Sequence, residues 1–213
     1  MNKSRLENLS DGVFAIVFTI LVFELRVPEF PDKHSSQLLL GAIHDLIPLF
    51  VAYVMSFAIL ATFWISHHAL YHLFVRVVNR PMILINLAYL MLISFIPFSA
   101  RLIGSYPANR VAILFYGLHI ISIALISLMG VWYAVRSEEI AHPKIQSRML
   151  AQARVRIMLP VIFSVLGMIT MFFYFPLTYL LFAFPIVFNA IPGSLNYVER
   201  KLGFSLGKAD DDD

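Results

Sequence analysis

Long hydrophobic runs, separated by short polar segments, make up most of this chain. Each of six runs is close to the roughly 20 residues that an α-helix needs to cross a bilayer. Prolines mark several boundaries, since Pro28 and Pro31 follow the first run and Pro176 separates the last two. The pattern predicts an all-α membrane protein with six transmembrane helices per subunit. The predicted spans are about 8–27, 46–67, 81–102, 109–135, 154–174 and 176–198.

A shorter amphipathic segment follows the first span. Within 35–44, the apolar residues Leu38, Leu39, Ala42 and Ile43 recur at helical spacing. This spacing predicts a short helix that lies in the outer membrane interface.

The six spans are expected to form one domain, over residues 1–205. No internal repeat is visible, so the inverted halves typical of many secondary transporters are not indicated. The tail 206–213 carries four consecutive aspartates at 210–213. We expect this tail to be solvated and disordered, without a role in the fold.

The composition agrees with a multi-pass membrane protein. The chain is 60% hydrophobic and 14% charged, whereas soluble domains are closer to one quarter charged. It contains no cysteine, which excludes disulfides, thiolate metal sites and cysteine nucleophiles. The net charge of +3 is modest and does not indicate a nucleic-acid-binding surface.

The distribution of Lys and Arg predicts the orientation. With the N-terminus inside, twelve basic residues lie on the inner segments and four on the outer ones. Because cytoplasmic segments are enriched in Lys and Arg, both termini are predicted to be cytoplasmic.

Polar residues at the start of the first span are the first candidate site. Arg5, Ser10 and Asp11 stand directly before the apolar run from Gly12 to Phe23. Charged groups near a membrane helix usually face protein or water and mark a site. Ser10 or Asp11 could also cap the helix N-terminus, which would not exclude a functional role.

An apolar stripe follows on the same helix. Ile16, Thr19, Ile20 and Phe23 share one helical face. The face could pack against other helices of its own subunit. Alternatively, copies of the face could meet around an oligomer axis and form a hydrophobic constriction. The stripe alone leaves both interpretations open.

A second candidate site ends the second span. Trp64, His67 and His68 share one face, and the predicted topology places them at the same end as Arg5 and Asp11. Three interpretations remain: a structural hydrogen-bond network, a pH-sensitive network coupled to pore opening, and a metal site.

The metal interpretation would use His67, His68 and His72. Only His68 and His72 share a face at i, i+4, and no nearby acid completes a usual ligand set. His119, within the fourth span, is typical of a packed histidine and is left without a role.

These residues together resemble a known family. The segment from Arg5 to Asp11, with Ser10 before Asp11 and an Ala-Ile-x-x-Thr-Ile core after it, resembles the Arg-x-x-x-Phe-Ser-Asp signature of the transmembrane protein 175 potassium channels. The resemblance covers the first three spans well and the last three only by span count and hydropathy. Leu9 stands in place of the signature Phe, and Ala15 replaces a Ser frequent in the family. Further matching residues are Trp64, His67, His68, Asn86 and the triplet Ile96-Pro97-Phe98.

The resemblance implies a potassium-preferring cation channel in a bacterial-type plasma membrane. A single six-helix repeat implies a homotetramer with a pore lined by helix 1. Ile16 would form the tightest ring, Ile20 and Phe23 would continue the constriction outward, and Thr19 would hold the geometry or hydrate the ion. Potassium would pass near Ile16 and Thr19, with no cofactor and no structural metal.

The resemblance also assigns a bracing network to the inner end of helix 1. Its members would be Arg5, Ser10, Asp11, Trp64, His67, His68 and Asn86. A rival interpretation is a proton-coupled secondary transporter that uses Asp11, His67 and His68 as a relay. An enzyme is not expected, because the histidines lack an accompanying nucleophile or zinc-protease pattern.

Overall fold

The computed structural model describes residues 2–26, 35–142, 145–191 and 193–202, and this part of the chain is helical. The predicted acidic tail, 206–213, lies outside the described residues. So do Pro28 and Pro31. A 3₁₀ turn, Leu21–Glu24, follows the first helix, and a π-helical turn, Leu70–Phe74, follows the third. The helices are α1 Lys3–Ile20, α2 Ser36–Asp45, α3 Ile47–Ala69, α4 Arg80–Ser94, α5 Ile96–Ser105, α6 Arg110–Arg136, α7 Ser147–Thr170, α8 Phe175–Ala190 and α9 Ser194–Leu202.

Five helical segments of the described chain are long and apolar enough to cross a membrane. They are Lys3–Glu24, Ile47–Phe74, Arg80–Ser105, Arg110–Arg136 and Ser147–Thr170. The prediction of an all-helical membrane protein is therefore confirmed. The sixth predicted span corresponds mainly to α8, which has 16 residues and is about 24 Å long. The count of six spans stays a prediction.

The third predicted span is divided into α4 and α5. The helix is interrupted at Phe95, and Pro97 lies in the first turn of α5. Proline lacks an N–H and clashes with the carbonyl four residues earlier, which accounts for the break.

The helices that correspond to the last two predicted spans have different bounds. The fifth is predicted at 154–174, but α7 begins at Ser147, because the helix includes the polar residues Ser147, Arg148 and Gln152 ahead of its apolar part. The sixth is predicted at 176–198, but α8 ends at Ala190. Gly193 then has a φ of 73°, a conformation that glycine tolerates and that separates α8 from α9.

Contacts between loops define the two ends of the bundle. At one end, the Lys3 ammonium donates to the Val75 carbonyl at 2.9 Å, and the backbone N–H of Arg76 donates to the Ile140 carbonyl at 2.7 Å. We call this the Lys3 end. At the other, the Arg101 guanidinium pairs with the Glu24 carboxylate at 3.1 Å. The connection after the second predicted span thus contacts both the start of α1, through Val75, and the connection after the fourth span, through Arg76.

The packing face of α1 differs from the stripe noted in the sequence. Its buried residues are Leu6, Ser10, Phe14 and Val17, and Leu21 continues the face into the following turn. They recur every three or four residues and therefore share one side of the helix. This side packs mainly against α3 and α4.

Ser10 and Asp11 do not cap α1, so that interpretation is wrong. The helix begins at Lys3, and the side chain of Asn2 accepts from the Ser4 N–H at 3.4 Å. Ser10 and Asp11 lie about two turns inside the helix. Their side chains are therefore available for contacts with other helices.

Candidate functional site

Three buried polar side chains from three helices form one hydrogen-bonded chain. His67 in α3 donates from Nε2 to the Asn86 Oδ1 in α4 at 2.7 Å. Asn86 donates from Nδ2 to the Ser10 Oγ in α1 at 3.0 Å, and the Ser10 hydroxyl donates to the Leu6 carbonyl at 2.9 Å. We call Ser10, His67 and Asn86 the Asn86 cluster. Its hydrogen bonds all run in one direction, so each can strengthen the next.

The Asn86 cluster is buried and is flanked by an aromatic ring. Ser10, Asn86 and His67 are 0%, 2% and 6% exposed. The His67 ring stacks on Tyr89, with 5.2 Å between the ring centroids, and the Tyr89 hydroxyl donates to the Phe63 carbonyl at 3.0 Å. The cluster therefore locks α1, α3 and α4 together at the Lys3 end.

A second contact between α1 and α3 is more exposed. The Trp64 indole N–H donates to the Asp11 carboxylate at 3.0 Å. The His68 ring lies between Trp64 and His72, with its centroid 6.1 Å from the first and 6.0 Å from the second. A hydrogen bond to a charged carboxylate is stronger than a neutral one, so this contact adds a second tie between the two helices.

A polar cavity of about 230 Å³ adjoins both contacts at the Lys3 end. The predicted acid and the two imidazoles thus come together, whereas the exposed Arg5 is not among the cavity's lining residues. The lining residues are Glu7, Asn8, Asp11, His67, His68 and Tyr71.

The structure does not support a metal site built from His67, His68 and His72. No group of three or more His, Cys, Asp or Glu in the described part of the chain is arranged to hold a metal ion. The Nε2 of His67 is instead directed at Asn86. His119 is a packed histidine, whose Nε2 donates to the Leu92 carbonyl at 2.9 Å beside the break between α4 and α5.

The predicted stripe lies on the opposite side of α1 from the Asn86 cluster. Ile16, Ile20 and Phe23 are 57%, 39% and 67% exposed, and Thr19 is exposed beside them. The Thr19 hydroxyl donates to the Ile16 carbonyl at 2.8 Å, so it is already satisfied within the helix. The stripe does not pack within its own subunit, and that interpretation is wrong.

Two polar contacts were missed in the sequence. Glu24 and Arg101 pair across 77 residues, which the sequence pattern does not indicate. Arg156 falls at the start of the predicted fifth span, where the sequence indicates no partner, and it contacts Asn189 in α8. The only signal for either was a charge at the edge of an apolar run, which does not identify its partner.

The chain is similar to known proteins, most clearly in its first half. The family model described as "Endosomal/lysosomal potassium channel TMEM175" matches residues 5–97, which include the Asn86 cluster and the stripe. A potassium channel of Streptomyces collinus is 30% identical to the chain, over 73% of this chain and 76% of its own length. A potassium channel of Chryseobacterium sp. (strain P1-3) is 33% identical, over 82% of this chain and 85% of its own length.

A solved structure has the same fold. It is the crystal structure of a lysosomal potassium-selective channel TMEM175 homolog from Chamaesiphon minutus. The TM-score is 0.74 and the identity 24%, and the match covers 88% of this chain and 96% of that one. The fold likeness thus extends to helices that the family model leaves unmatched.

Proposed function

This chain belongs to the TMEM175 channel family, and from that premise we propose that it is a potassium-preferring channel whose constriction is built by α1 from several copies. As a family member it is a multi-pass protein of the bacterial cell membrane and a cation channel, not an enzyme. The proton-coupled transporter is not favoured, because these relatives are named as channels.

The observation that carries the proposal is the division of α1 into two faces. One face is buried against neighbouring helices and includes Ser10 of the Asn86 cluster. On the other face, Ile16, Ile20 and Phe23 remain exposed. A helix held firmly on one side can present the other side to identical copies. We propose a homotetramer in which four such faces surround the ion path, with both termini in the cytoplasm.

An isoleucine ring would select ions through their hydration. Ile16 has no lone pairs that could replace water around a cation, so the ion with the cheaper loss of water passes more readily. Potassium holds its water less tightly than sodium does. A hydrophobic ring can also close by dewetting, so the filter and the gate would coincide at Ile16.

The polar cavity would supply cations to this ring. Glu7 and Asp11 line it at the Lys3 end, about one to three turns before Ile16. Carboxylates at the mouth of a pore raise the local concentration of cations and repel anions. In this proposal Asp11 also keeps α1 against α3 through Trp64.

Ile16→Asn tests the constriction. We expect a larger single-channel conductance and a lower potassium-over-sodium permeability ratio, since the amide can bind water that an isoleucine excludes. Purified protein in liposomes or planar bilayers gives both quantities from reversal potentials under mixed-ion gradients. A mass measurement of the detergent-solubilised protein gives the subunit count, for which we expect four.

Ile162→Asn is the matched control. Ile162 is a similarly exposed isoleucine, on α7, so the same substitution is made outside the proposed pore. We expect unchanged permeability ratios for this variant. Equal reversal potentials for wild type and Ile16→Asn would remove Ile16 from the filter, and a monomeric protein that still conducts would overturn the shared pore.

A further inference from the structure

Arg156 is a cation inside a membrane-spanning helix. It lies nine residues from the start of α7, roughly 14 Å along the helix axis, and is half-buried. Its Nη1 is 3.4 Å from both the backbone oxygen and the Oδ1 of Asn189, which is long for a hydrogen bond. The ion pairs found in the described part of the chain do not include Arg156.

Among the polar side chains beside the cavity at Arg156, the guanidinium is the donor that can bind an anion. A cavity of about 170 Å³ lies beside it, bounded by α3 and α8. The hydroxyls of Thr62 and Ser66 donate to the carbonyls of Ala58 and Thr62 in their own helix, at 3.0 and 2.9 Å. A guanidinium carries five N–H groups and suits the oxygens of a phosphate.

This polar cavity continues into an apolar groove. Ala58 and Ile186 line both the cavity beside Arg156 and a second one of about 640 Å³ between α3 and α8. The Tyr179 hydroxyl at the groove is already used, since it donates to the Pro107 carbonyl at 2.8 Å. The rest of the lining is apolar and includes Phe50, Val54, Leu180 and Ala183.

We propose that α3, α7 and α8 form a binding site for an anionic phospholipid, with its phosphate at Arg156 and an acyl chain in the apolar groove. The charge and the groove are complementary to such a molecule and not to a purely apolar or a purely ionic one. A charge at this depth is costly alone, and basic pockets between membrane helices bind anionic head groups. The site is at the Lys3 end, beside Ser66, on the predicted cytoplasmic side.

The test compares two arginines of one helix. Delipidated full-length protein in detergent is titrated with phosphatidylglycerol or with phosphatidylcholine of the same chain length, and bound lipid is counted by native mass spectrometry. We expect phosphatidylglycerol to bind at least about fivefold more tightly. Arg156→Gln should lower that affinity about fivefold, whereas Arg154→Gln, at an exposed position, should leave it unchanged.

Two further arms separate the possible occupants. Ala183→Phe fills the groove. It should weaken the binding of long-chain phosphatidylglycerol and leave the binding of a dihexanoyl analogue unchanged. Inorganic phosphate should not compete at millimolar concentration.

Equal binding of the two lipids, or equal losses in both arginine variants, would overturn the proposal in favour of unselective annular lipid. Competition by phosphate would assign the site to a free anion, and a changed subunit count in Ala183→Phe would assign the groove to a second copy. Each readout is independent of ion conduction, so the proposed function can fail while this site stands.

Discussion

The Asn86 cluster and the Arg156 site both place polar groups within apolar helices at the Lys3 end, but their hydrogen bonding differs. In the Asn86 cluster, each donor meets an acceptor at 2.7 to 3.0 Å and the members are at most 6% exposed. Arg156 has contacts of 3.4 Å and borders two cavities. A network whose donors are all satisfied holds helices together, whereas a donor with only long contacts can still bind a ligand.

This difference predicts opposite consequences of mutation. Breaking a closed, buried network leaves polar groups without partners, which costs more than the network itself contributes. Removing Arg156 from its site leaves few polar groups without a partner, so it should cost little stability. Variants at the two sites should therefore differ most in stability and in lipid binding.

Asn86→Leu should have the largest effect on stability. The substitution keeps the volume similar but leaves the His67 N–H without its acceptor and the Ser10 oxygen without its donor. We expect a loss of about 2–3 kcal/mol and a fall of roughly 5–10 °C in the melting temperature in detergent, followed by the helical circular-dichroism signal.

A double variant sharpens this expectation. In His67→Phe with Asn86→Leu, both buried partners are apolar, so much of the lost stability should return. An additive loss in the double variant would mean that side-chain packing, and not hydrogen bonding, holds this region together.

Ser10→Ala should have an intermediate effect. Its hydroxyl is fully buried and joins Asn86 to Leu6, so the substitution costs one Asn86 hydrogen bond, about 1 kcal/mol or roughly 2–4 °C. Ser94→Ala is the control, because the Ser94 hydroxyl is exposed and bonds only to the Met91 carbonyl of its own helix turn. Identical melting temperatures for both variants would show that Ser10 does not brace α1.

Arg156→Gln should have the smallest effect in lipid-free detergent. Its contacts with Asn189 are long and the side chain is only half-buried, so we expect a change below about 0.5 kcal/mol, or under 2 °C. Added phosphatidylglycerol should then raise the melting temperature of the wild type more than that of the variant. A large fall in melting temperature without lipid would instead make Arg156 a structural residue of the bundle.

The sequence predicted the general architecture well and the local partners poorly. The fourth span is predicted at 109–135 and corresponds to α6, Arg110–Arg136. The agreement is close because a long apolar run is typical of a single membrane helix. The start of α7 differs from the prediction because Ser147, Arg148 and Gln152 make its first turns more polar than the run that follows. The end of α8 was missed because its apolar character continues beyond Ala190.

The sequence by itself determined that this chain is helical, apolar and membrane-embedded, because hydropathy and periodicity are properties of neighbouring residues. It also placed Ser10, Asp11 and His67 among the candidate residues, and the family resemblance added Asn86. The tertiary structure alone decided which face of α1 is buried and which polar groups become partners. Ser10 and Asn86 are 76 residues apart, and such a contact depends on how three helices pack. The same packing leaves Ile16 exposed and gives Arg156 no carboxylate among the described residues.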